Sequence, residues 1–66
     1  MTDQDKQSVK QYKMDLRKYQ KELEKLLSFR ATYGFPAADA PSKNARIVHL
    51  EWMIRSTEEI IQILSR

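Results

Sequence analysis

Val9, Tyr12, Leu16, Tyr19, Leu23 and Leu26 recur at intervals of 3, 4, 3, 4 and 3. These are a and d positions of successive heptads, so the stretch predicts an amphipathic helix with a narrow apolar seam. A second seam follows at Ile47, Leu50, Ile54, Thr57, Ile61 and Leu64, widened by Met53 and Ile60. A helix with one apolar stripe must bury it against another element, and each seam is the nearest cover for the other. The pattern therefore predicts an all-α fold, an antiparallel two-helix hairpin with helices over about residues 3–33 and 43–65, forming a single domain over residues 1–66.

Local signals set these boundaries. Thr2-Asp3-Gln4-Asp5 resembles a capping box, with Thr2 as N-cap and Asp5 three residues on. Neither Gly nor Pro interrupts the chain before Gly34, and Lys, Glu, Gln and Leu dominate. Gly34 is suited to the left-handed turn that ends a helix, Phe35 can fold back on the last turn, and Pro36 blocks continuation. Ser42 is the expected N-cap of the second helix, because Ala40 precedes Pro41 and is disfavoured in helical conformation. Folding the helices back places Leu26 opposite Leu50, Leu23 opposite Ile54, Tyr19 opposite Thr57, Leu16 opposite Ile61 and Tyr12 opposite Leu64. In this register the paired numbers add to 76 or 77 and the first two turns of helix 1 overhang. Leu23 and Ile54 are expected to share a buried layer.

Size changes the picture next. Sixty-six residues supply a small core, and domains of this size usually gain stability from disulfides, a metal or a second subunit. The chain has no cysteine and only one histidine, His49, so a disulfide is excluded and a metal site has few ligands. A homo-oligomer, with two hairpins dimerising into a four-helix bundle, or a core completed on another protein is the expectation. No segment is apolar enough to span a membrane, and the polar, acidic start is unlike a signal peptide, so a cytoplasmic protein is expected.

Catalytic chemistry is not indicated, and no cofactor is implied. The one glycine cannot make a phosphate-binding loop, and Glu58-Glu59 are helix neighbours pointing about 100° apart. His49 falls at the edge of the second seam, where a structural role suffices. The protein is read as no enzyme.

Two faces remain. Lys6, Lys10, Lys13, Arg17 and Lys21 form a stripe within about 80° of arc on the first helix, away from its seam. Residues 1–33 carry eight Lys/Arg against five Asp/Glu, whereas residues 34–66 carry four of each, so the excess of +3 lies on the first helix. Such a stripe suits phosphates or an acidic protein surface, although lysine-rich faces also serve as ordinary solubilising surface. On the second helix Ala45, Val48, Trp52 and Ile63 point away from the seam, where a hairpin needs no apolar residue. Trp is enriched at interface hot spots, which makes this a candidate protein interface. Met14, on the back of the first helix, is a weaker sign of the same kind.

The helix–short loop–helix plan resembles that of the Rop family of RNA-binding proteins, in which two hairpins pair into four helices. The likeness is of architecture and carries no functional residue across. The expected function is a small regulatory, adaptor or inhibitor protein acting through helix-mediated protein–protein contact. The alternative is a dimeric nucleic-acid binder using the basic stripe.

Overall fold

The computed structural model describes the backbone of residues 3–66 and the side chains from Lys6 onward. Two α-helices, α1 (Asp3–Thr32) and α2 (Ala40–Leu64), pack antiparallel, with no strand among the described residues. The expected capping box at Thr2 and Asp5 lies outside the described side chains. The hairpin is a rod of 49 × 15 × 14 Å. Its radius of gyration is 15.0 Å, against roughly 11 Å for a compact domain of the same length.

The connection is built as the sequence directs at its first end. The Tyr33 N–H donates to the Phe29 carbonyl and the Gly34 N–H to the Arg30 carbonyl, closing the last turn. Gly34 then takes φ +72°, the left-handed conformation that costs glycine least. Phe35 does fold back: its ring lies 6.0 Å from that of Phe29, nearly parallel to it.

At its second end the chain departs from expectation. α2 begins at Ala40, three residues before the expected Lys43, and the N-cap position is held by Asp39 rather than Ser42. Pro41 sits in the first turn, where its missing N–H would have had no intrahelical partner and its fixed φ suits the helix. A tight turn hands the backbone over: the Asp39 and Ala40 N–H groups both donate to the Pro36 carbonyl, and Asp39 is already close to helical. This turn outweighs the bias against helix at the residue before proline.

All six expected seam residues of each helix are buried or half-buried. Val9, Ile47, Leu50 and Thr57 are buried, and Leu50 alone is completely enclosed, at 0% exposure. No buried side-chain polar atom among the described residues lacks a hydrogen-bond partner, so Thr57 is accommodated without an orphaned group. Leu23 and Ile54, expected to be buried together, are each half-buried. Two helices touch along one line, and side chains at its margins keep one side in water.

The partners across that line differ from the expected layers. Arg46 donates twice to the Glu22 carboxylate, at 2.6 and 3.1 Å, and Arg30 donates to Asn44 at 3.3 Å. The paired numbers add to 68 and 74 rather than to 76 or 77. In the expected register Glu22 would stand level with residue 54 or 55, about 12–13 Å of helix rise from Arg46 and too far for a two-pronged bond. Val9 would stand beyond Arg66, yet it is buried. The earlier start of α2 works in the same direction, since it carries each residue of that helix farther from the loop.

The Glu22–Arg46 pair is the only ion pair among the described residues, and both side chains are exposed to water. The hydrogen bonds from Arg46 hold the Glu22 carboxyl below its ordinary value against the opposing effect of burial, and the charges of Arg46 and then His49 add to the lowering.

Two expectations follow from this packing. Leu50→Ala is expected to destabilise the hairpin by about 2–5 kcal/mol, Leu23→Ala by less, and Val48→Ala by no more than about 0.5 kcal/mol, as read from thermal unfolding by circular dichroism. The ion pair has an acid signature of definite sign. A carboxyl whose value is lowered on folding adds stability above its free value of 4.5 and loses that contribution as pH falls through the lower folded value. Wild type is therefore expected to exceed Glu22→Gln in melting temperature at neutral pH. The gap is expected to close below pH 4.5 and to narrow in high salt, which screens exposed pairs.

Candidate protein-interaction face

α2 is apolar over far more of its circumference than a hairpin requires. The seam occupies the side toward α1, Met53 lies half-buried beside it, and Ile60 emerges at its margin. The chain then supplies further apolar residues on the opposite side, and these remain in water. Val48 is 66% exposed, Trp52 62% and Ile63 59%, and Ala45 is exposed with them. A helix that packs against a single neighbour has no use for such residues on its far side.

Trp52 is also partly positioned. Its ring lies 6.4 Å from that of His49, one turn nearer the loop, in a near-parallel stack. His49, expected at the edge of the second seam, is exposed. Val48 stands one turn before Trp52 on the same side, so the indole has neighbours along the helix but nothing over its outer surface. The four expected interface residues thus fall on one face of one rigid helix. Met14 is 48% exposed but belongs to α1 and is not part of this face.

The basic residues are likewise on the surface. Lys6, Lys10, Lys13, Arg17 and Lys21 are all exposed, and none is paired with a carboxylate among the described residues. A shallow cleft runs between Lys6, Lys10, Lys13 and Arg17, with Val9 and Met14 at its sides. No aromatic side chain lines this cleft, and a stacking platform of that kind is the usual means of holding unpaired bases.

One cluster was not anticipated. Phe29 packs against Tyr33 at 5.2 Å and against Phe35 at 6.0 Å, forming an aromatic group at the loop end. Tyr33 and Phe29 are exposed, and Lys21 and Lys25 border the cleft beside them. The spacing of Phe29 and Tyr33, four apart on a helix, is the sequence signal that would have found it.

Among the described residues no three His, Cys, Asp or Glu side chains are grouped to hold a metal ion. No helix among them is long and apolar enough to cross a membrane. Comparison with protein-family models, with characterised proteins and with solved structures finds no match for this chain.

Proposed function

We propose that this chain is a small non-enzymatic regulatory, adaptor or inhibitor protein of the cytoplasm that acts by protein–protein contact through the outer face of α2. The observation that carries this reading is the exposed Trp52 with Val48 one turn away, on the side of α2 that faces away from α1. Large apolar side chains lined up on one rigid helix lower the cost of association, because little conformational freedom is lost when a partner covers them. A helix laid against another helical surface or in an apolar groove is the binding mode that such a face supports.

The test is capture of partners from the source cell on immobilised protein, with Trp52→Ala as the comparison. Trp52 lies outside the seam, so Trp52→Ala is expected to retain helicity and, in dilute protein, melting temperature. Its affinity for the captured partner is expected to fall by about 30-fold or more, the effect of losing a hot-spot residue worth about 2 kcal/mol. Equal capture by wild type and variant would refute the reading.

A second reading is supported by the five exposed cations on α1, which are unpaired among the described residues. A dimer carrying two such stripes would bind nucleic-acid phosphates with affinity that falls steeply as salt rises. Lys13→Glu combined with Arg17→Glu is expected to abolish that binding with no loss of helicity. No binding by wild type at about 50 mM salt, where screening is weak, would end this reading.

A further inference from the structure

The bare stripe of α2 is complementary to itself. At 100° per residue, Ala45, Val48, Trp52, Arg55, Glu59 and Ile63 fall within about 80° of arc, and all six are exposed. Arg55 and Glu59 take part in no ion pair among the described residues. Four apart on one helix, they stand in the less favourable order for pairing with each other, the cation nearer the amino end.

Lay this stripe antiparallel on a second copy of itself, with the two-fold axis near the level of residue 57. Arg55 is then level with Glu59 of the second copy, and Trp52 with its Ile63. Symmetry makes every contact twice, so opposite charges meet at the centre and Trp52 meets Ile63 on either side, while Val48 and Ala45 lie at the ends of the overlap. Slipping by one turn loses the charge match. In one direction Val48 comes level with Ile63, but Trp52 comes level with Glu59 and Arg55 stands beside its own counterpart. In the other, Arg55 comes level with Ile63, and Glu59 meets its own counterpart.

We propose that a second copy of this chain docks on the outer face of α2 in this antiparallel register. The proposal rests on the reading of that face as the contact surface, and adds the identity and alignment of what covers it. The four helices then lie in the order α1, α2, α2, α1. The net charge of +3, which comes from α1, is carried on the outer edges of the pair. Repulsion between copies is thereby kept low while the local charges at the centre attract.

Charge reversal tests the register, with sedimentation equilibrium reading the dissociation constant and circular dichroism confirming helicity. Arg55→Glu and Glu59→Arg are each expected to weaken the wild-type dimer roughly tenfold or more, because like charges then meet twice at its centre. The double variant restores opposite charges and is expected to return to within about threefold of wild type. A dimer indifferent to both single reversals, or a double variant as weak as either, overturns the register. A wild type that stays monomeric to about 100 μM overturns the second copy as occupant. That result leaves the reading of the face itself to the separate Trp52→Ala capture.

Discussion

Two helices side by side can bury only the line along which they touch. Everything else in this protein depends on that limit. Along the line the structure is well made, with Leu50 fully enclosed and Ile47, Thr57 and Val9 close to it. Away from the line each helix keeps most of its circumference in water. A single core of this size supplies on the order of 3–5 kcal/mol.

The two helices meet this limit differently. α1 has one apolar seam and a largely charged remainder, with Met14 and the aromatic group of Phe29 and Tyr33 as its exposed apolar exceptions. α2 carries a complete seam and, opposite it, Trp52, Val48 and Ile63. Its composition is that of a helix with neighbours on two sides. The hairpin supplies one of them. This asymmetry between the helices is what the proposed interaction face rests on.

The fold was legible because its signals are local and periodic. The heptads of α1 and the matching repeat of α2 identify every seam residue, and Gly34-Phe35-Pro36 marks the end of α1 where φ +72° is found. The start of α2 was misread because a proline can either exclude a helix or open one. Only the turn from Pro36 to Asp39 decides between these. That local error propagated. Heptad seams match in any register that shifts by whole repeats, so the loop alone sets which residues face one another. The earlier start carries the residues of α2 away from the loop, the direction in which Arg46 comes to Glu22. The outer face of α2 was legible for the same reason as the seam, since exposure opposite a seam follows from periodicity. What covers it lies beyond periodicity, because that depends on a surface of another molecule or another copy.

The most direct measurement is the emission of the single tryptophan followed across protein concentration and on adding a captured partner, with helicity recorded alongside. The account holds that Trp52 is in water in the isolated hairpin and is covered only by association. Emission is therefore predicted to be red-shifted in dilute, fully helical protein and to move to the blue as protein concentration rises or as the partner saturates. Blue emission that persists at every dilution, with no partner present and helicity intact, would contradict it. That result would place Trp52 within the fold of the single chain and remove the second face on which the functional reading stands.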